Sequence, residues 1–550
     1  VNKNLLAYLS CLIYVTVFSQ LTPSLSWPID TPHIITGNYG ELRPNHFHAG
    51  IDFSTNGKIG FPVYAVSDGY VSRVKISAAG YGKALYLTHT NANTVSVYAH
   101  LNVYAGTIAD YVKKEQIYQQ TYELELYPET NTLKIRKGDL LGYSGNTGSS
   151  SGPHLHFEIR DRVSEVPLNP LYFYTISDTI KPLINAVGFY DLSDTIAPRF
   201  VRSFKVKNDR DTLQIEKDSI TTYHGVLGLA FSGFDRFAPK GNPNGIYSTR
   251  LYLDGRLVFA YSMEGIAFDE QAYVNEFAEN IHKTKFQKCF LPTLYPPIYK
   301  SCVNKGRIVL SDTNYHSIKV EVLDESMNKN TLEFFVRTKK VSGFVKPDGE
   351  GAFVNCAYDY NSDIEGIRII IPAKTFYSSN WLKETNLLEK SGELVISPAR
   401  INLRNSVRVG FKVPSKFKKY NNKLVLENKG LFYLPVWRDD SLLCQVRSLG
   451  VFKLRPDTVP PQVKTALSSK KIKKIRTMSS FSFLIFDNMS GILNYKLYIN
   501  GQWVLAEYDA KARLLTYFFD GDTPPGNLNF LLEVGDKVGN ITRFKYVLKR

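Results

Sequence analysis

The chain is expected to be mainly β and built from several domains. Among its 550 residues are 35 Tyr and 33 Phe but only 4 Met, and long Ala/Leu/Glu runs are scarce, a composition that suits pleated, half-buried strands. Alternating apolar runs meet at Asp254-Gly255 and at Asn500-Gly501, the hairpin signal of type I′ turns. The length corresponds to about three to five domains, each able to bury its own core.

Read from the start, Lys3 precedes an apolar run from Leu5 to Phe18, and Val17-Phe18-Ser19 offers tolerated residues before a cut near Gln20. Residues 1–19 are therefore expected to be a signal peptide. Lipid attachment at Cys11, after Tyr8-Leu9-Ser10, is the weaker reading, because it leaves a very short apolar stretch and an aromatic where an aliphatic is wanted. No other segment is long and apolar enough to cross a bilayer. The expectation is an exported chain of the periplasm or cell envelope, possessing no transmembrane anchor once mature.

The chemistry lies between residues 28 and 175. His48-Ala49-Gly50-Ile51-Asp52, Tyr98-Ala99-His100-Leu101 and His154-Leu155-His156 contain four histidines and an aspartate. Catalytic zinc asks for three N or O side-chain ligands and a fourth position for water. In His154-Leu155-His156 the two imidazoles leave one face of a strand while Leu155 points into the other layer. Gly50 permits a tight bend or a close backbone approach, which lets His48 and Asp52 converge. His100 ends an alternating run, Val95 to His100, that reads as a strand. His33, His46, His89, His224, His282 and His316 lack such context and read as structural, with His46 the one decoy because it lies two residues before His48.

The ordered set H-A-G-I-D, Y-A-H-L and S-G-P-H-L-H-F-E resembles the LytM/lysostaphin-type zinc endopeptidases of bacterial peptidoglycan. The surrounding text agrees: Gly60-Phe61-Pro62-Val63-Tyr64-Ala65-Val66, Asp68-Gly69-Tyr70-Val71, Gly80-Tyr81-Gly82-Lys83, Lys137-Gly138-Asp139 and Gly145-Asn146-Thr147-Gly148. The resemblance implies an antiparallel β peptidase domain over 28–175 holding one Zn2+. It implies that His48, Asp52 and His156 ligate the metal. His100 and His154 become the catalytic pair, sharing general-base and oxyanion-stabilising roles. The chain departs from the compact family pattern at about 104–135, where a helical stretch (Tyr111 to Gln120) precedes an alternating one (Thr121 to Tyr127). That insertion reads equally as a substrate-shaping lid or a neutral embellishment.

Downstream, Asp178-Thr179-Ile180-Lys181-Pro182, Asp194-Thr195-Ile196-Ala197-Pro198 and Asp457-Thr458-Val459-Pro460-Pro461 repeat one phrase that suits entry into a new strand. They suggest a linker at 176–198, a β-sandwich module at 199–338, a β-rich module at 339–456 and a second sandwich at 457–550. The two sandwiches share an internal similarity: Phe234-Asp235, Gly245-Ile246, Leu251 to Gly255, Asp324 and Asn328 in one, and Phe486-Asp487, Gly491-Ile492, Leu497 to Gly501, Asp536 and Asn540 in the other. Both read as immunoglobulin-like. One Asp and one Asn fall short of the 6–8 oxygens of calcium, so Asp324/Asn328 and Asp536/Asn540 read as turn residues. The modules read as spacers that present the enzyme. Cys289 and Cys302, which flank a proline-rich loop, are the better disulfide candidates, and the four cysteines after Cys11 read equally as buried thiols.

The net charge of +16, densest at Lys470 to Arg476, favours anionic wall or envelope surfaces, and no nucleic-acid motif is present. The sequence thus reads as an exported zinc metalloendopeptidase that hydrolyses peptidoglycan stem peptides or cross-links. The second reading is a non-catalytic regulator or adaptor that activates another wall hydrolase; the complete ligand set speaks for the enzyme.

Overall fold

The computed structural model of the chain describes residues 25–549, apart from 195–197, 210–211, 218, 342–348, 365, 439, 467–477 and 522. The expected signal peptide, Cys11 and the basic run 470–476 lie outside the described residues. Strands dominate, and almost every pairing is antiparallel.

The N-terminal domain is a twisted sheet in the order Ile35–Gly37, Ile51–Ser54, His154–Asp161, Thr94–Leu101, Lys83–His89, Gly69–Ile76 and Leu124–Leu126. A smaller sheet of Pro62–Tyr64, Leu140–Tyr143 and Val103–Tyr104 packs with it. Side chains alternate across the pleat. Leu155, Phe157 and Ile159 therefore enter a core with Ile51, Phe53 and Tyr98, each contributing roughly 1.5–3 kcal/mol by burial. His154 and His156 leave by the other face.

The insertion forms the helix Gly106–Gln119, which ends where Gln120 turns left-handed at φ 48°. Its buried residues Ile108, Val112 and Gln116 recur every four positions and face the core. Gln116 Nε2 donates to Tyr122 O at 2.7 Å, and Leu124–Leu126 then pairs with Gly69–Ile76. The helical and strand-like halves of the insertion are thus both present and extend the fold.

Three β units follow. The first runs from Leu183 to Thr338, and its strand Arg199–Asp209 passes from one layer to the other. The second consists of a six-stranded and a five-stranded sheet between Ala352 and Pro456, and the third of two four-stranded sheets between Gln462 and Lys549. Two hairpins turn as expected: Asp254 and Gly255 have φ 47° and 74°, Asn500 and Gly501 φ 50° and 86°, the two positive values a type I′ turn requires.

One expectation needs correction, and one open alternative resolves. The stretch 176–198 is not a plain linker, because Leu183–Asp191 is a nine-residue strand paired on both sides, with Val226–Phe234 and Arg199–Asp209. Its own apolar run drives that burial. Cys289 and Cys302 are free thiols, as are Cys356 and Cys444.

The modules also do more than space the N-terminal domain. Tyr39 and Phe47 of the N-terminal domain belong to the core of the first module, with the Phe47 ring edge-on to Phe277 at 5.6 Å. The last module reaches back as well: Lys83 Nζ donates to both Glu507 carboxylate oxygens at 2.9 Å, and Lys511 Nζ donates to the carbonyls of Asn146 and Ser150.

Candidate metal centre

Antiparallel register places His156 directly opposite Asp52. Side chains of opposed residues share a face, so the central strand and its neighbour supply two donors to one point. His48 arrives from the preceding turn, where Gly50 passes so close to Phe157 that a Cβ would lie 2.2 Å from its carbonyl oxygen. The close approach anticipated for Gly50 is what permits this turn.

His48 Nε2, Asp52 Oδ1 and His156 Nδ1 form a triangle with every side 3.0 Å. All three residues are 4% exposed. A backbone carbonyl can only accept, so His48 Nδ1–H donates to Asn38 O at 2.7 Å and Nε2 keeps its lone pair. Likewise His156 Nε2–H donates to Glu158 Oε1 at 2.8 Å, leaving the Nδ1 lone pair to face Asp52. Asp52 Oδ2 is held by Arg43 at 2.9 Å, which leaves Oδ1 for the triangle. Three electron pairs converge where no side-chain donor is required, a demand for a cation. The mixed N/O set suits zinc, whose bonds to such ligands are about 2.0–2.2 Å, so the triangle fits the ion.

The electrostatics agree. Burial would raise Asp52, but the neighbouring His48 charge above all, with the close ring nitrogens of His154, His156 and His48, holds its carboxyl well below the usual range. Burial opposes charge on His156 too, yet its bonds to Asp52 and Glu158 outweigh this and push it up to about 9. Positive charge is therefore favoured among the three donors. Burial chiefly lowers His48.

The two remaining histidines flank the triangle. His154 Nδ1–H donates to Gly152 O at 2.8 Å, and its Nε2 lies 3.4 Å from Asp52 Oδ1. His100 Nδ1–H donates to Thr147 O at 2.9 Å, and its ring centre is 4.8 Å from that of His154. Burial, followed by the charges of His156 and His154, lowers His100 to about 3, so it is neutral at physiological pH. His100 also sits at φ 59°, in the left-handed region that histidine enters more readily than most non-glycine residues. All five expected residues thus meet in one place. His46 is exposed and bonds only Pro44 O, and His33, His89, His224 and His316 make contacts away from this centre.

Sequence reasoning missed the supporting residues. Arg43, Asn38 and Arg160 carry no local motif, and Tyr81 stood inside Gly80-Tyr81-Gly82-Lys83 without a role. Glu158 stood inside S-G-P-H-L-H-F-E without a role, two residues beyond His156 and so on the same face. It is fully buried, bonded by His156, Tyr81 and Arg160. Burial raises its carboxyl, but Arg160 above all holds it down at about 2.

The model of peptidase family M23 matches residues 46–121 and 126–170, a match interrupted only inside the insertion. An uncharacterized metalloprotease of Haemophilus influenzae is 34% identical over 132 residues, 24% of this chain and 21% of that protein. The DD-carboxypeptidase/endopeptidase Mpg of Neisseria meningitidis is 31% identical over 130 residues, 24% of this chain and 23% of the relative. Lysostaphin of Staphylococcus staphylolyticus is 32% identical over 111 residues, 20% of this chain and 18% of the relative. The chain thus spans less than a quarter of the length of the curated relatives it matches. Among solved structures, the catalytic domain of Staphylococcus simulans lysostaphin aligns at 26% identity over 25% of this chain and 87% of that one, with a TM-score of 0.19. Residues 46–170 of the N-terminal domain thus resemble peptidase family M23, and they are joined to β modules that the family match does not reach.

Proposed function

We propose that the chain is an exported zinc metalloendopeptidase that hydrolyses peptide bonds in peptidoglycan stem peptides or cross-links. The observation that carries this reading is the convergence of three buried lone pairs, each aimed by a fixed hydrogen bond on its far side. His48, Asp52 and His156 would hold one Zn2+, which when bound polarises the scissile carbonyl and lowers the pKa of its water to about 7.

The chain's own residues supply the rest. His100 and His154 each tie Nδ1–H to a carbonyl and present Nε2 to the site. An imidazole nitrogen there takes the proton of the attacking water or steadies the developing oxyanion. Glu158 and Arg43 hold His156 and Asp52 in position, the outer contacts that set ligand orientation. The relatives named for endopeptidase activity, DD-carboxypeptidase/endopeptidase Mpg and glycyl-glycine endopeptidase ALE-1, support the reaction type. The charge of +16 supports attraction to anionic wall polymers.

Digestion of defined muropeptides followed by mass spectrometry tests the reading. New amino termini within the peptide cross-links are expected. Zinc-loaded protein that leaves every peptide bond intact overturns the enzyme in favour of the regulator.

A further inference from the structure

The internal repeat gains a third member in three dimensions. Asp178 joins Asp235 and Asp324, and Asp457 joins Asp487 and Asp536, each trio placing one ligand oxygen per residue within 4.8 Å of the others. Asp178 and Asp457 are the opening residues of two D-T-[I/V]-x-P phrases. Both trios are built alike. Asn328 donates from its backbone and side chain to the two oxygens of Asp324 at 2.8 Å, and its amide also reaches Asp178 O at 3.0 Å. Asn540 makes the same three bonds to Asp536 and Asp457 O, at 2.7, 2.6 and 3.1 Å.

A pair of residues could not satisfy calcium; three carboxylates change the count. They also leave a debt of charge. Asp235 is 1% exposed, and neither of its carboxylate oxygens has a hydrogen-bond partner. Asp457 is fully buried, and its Oδ1 is unpartnered, as are Asp178 Oδ2 and Asp487 Oδ1. Among the described residues no ion pair joins any of the six to a Lys, Arg or His. Buried carboxylates crowded together without a cation are costly. Burial pushes Asp235 up to about 7 and Asp324 up to about 6, with neighbouring carboxylates adding to both. The donors are all oxygen, with no nitrogen or sulfur, which selects a hard ion.

We propose that each trio is a calcium site, one in the first sandwich module and one in the last. Each ion would tie the segment entering a module to two strand ends of that module: after Val226–Phe234 and His316–Leu323 in the first, and at Ser480–Phe486 and Asn527–Asp536 in the last. The first site borders the enzyme. Glu325, beside Asp324, accepts from Asn38 Nδ2 at 2.9 Å, and the Asn38 carbonyl holds His48.

The test is equilibrium dialysis of the full chain, stripped of metal and reloaded with one zinc, against radiolabelled calcium. Two calcium ions per chain are expected at about 1 mM free calcium, the range of extracellular modules. Asp235→Asn and Asp487→Asn should each remove one ion and keep the other, the retained ion reporting that the chain is folded. Magnesium should compete at least about tenfold more weakly, since it demands smaller, near-octahedral geometry. No calcium bound by the intact chain, two ions retained by the double variant, or equal competition by magnesium overturns the proposal.

Discussion

The His48–Asp52–His156 cluster and the two aspartate clusters each gather three metal-type ligands, but their surroundings compensate them in opposite ways. Around the histidines the protein supplies its own charges: Arg43 on Asp52, Glu158 on His156, Arg160 on Glu158. Around the aspartates it supplies amides for some oxygens and leaves others bare. A centre that must keep its geometry through a reaction is built with its supports in place. A centre whose task is to join strand ends can leave the ion to complete it.

The comparison breaks first at the ligands. Asp52→Ala should abolish zinc retention and reduce hydrolysis by more than about 10³-fold, whereas Asp487→Asn should leave kcat/KM unchanged. Equal losses in the two variants, measured by metal analysis and muropeptide digestion, would erase the distinction. The next effect belongs to the imidazoles: His100→Gln and His154→Gln should each slow turnover by about 10²- to 10⁴-fold while zinc content stays at one per chain. Full activity in either variant removes that residue from the catalytic pair.

A smaller effect sharpens the role of the outer contacts. Glu158→Gln should weaken zinc binding by about 10- to 100-fold, read by competition with a chromophoric chelator. It should also lower stability, because Arg160 is left buried without its partner. The smallest effect tests the aspartates. Removing calcium with a selective chelator should lower the melting temperature of the modules by a few degrees, following the mass-action stabilisation of about 2.7 kcal/mol at 100-fold saturation, without changing zinc content. A melting curve indifferent to calcium would contradict the sites.

Much of this was readable beforehand. The five site residues sit in local motifs whose two-residue period puts His154 and His156 on one face, and Asp-Gly and Asn-Gly announced their hairpins because few other pairs adopt two positive φ values. What escaped is what only long-range register creates. Asn38 reaches Gly245 and Glu325 across more than two hundred residues. Asp178 read as a strand-entry residue because its partners Asp235 and Asp324 are distant in sequence. The strand Leu183–Asp191 read as linker because proline phrases flank it on both sides.

The burial of Tyr39 and Phe47 in the neighbouring module bears on engineering. An N-terminal domain cut at residue 175, for grafting onto another protein, would carry away an open wound: two aromatic rings without their cover, the Tyr39 hydroxyl without Ile266, and Asn38 without Gly245. Since Asn38 also steadies His48, such a graft should be both less soluble and slower than the same domain excised after Thr338, making that domain and its first module the smallest transplantable piece.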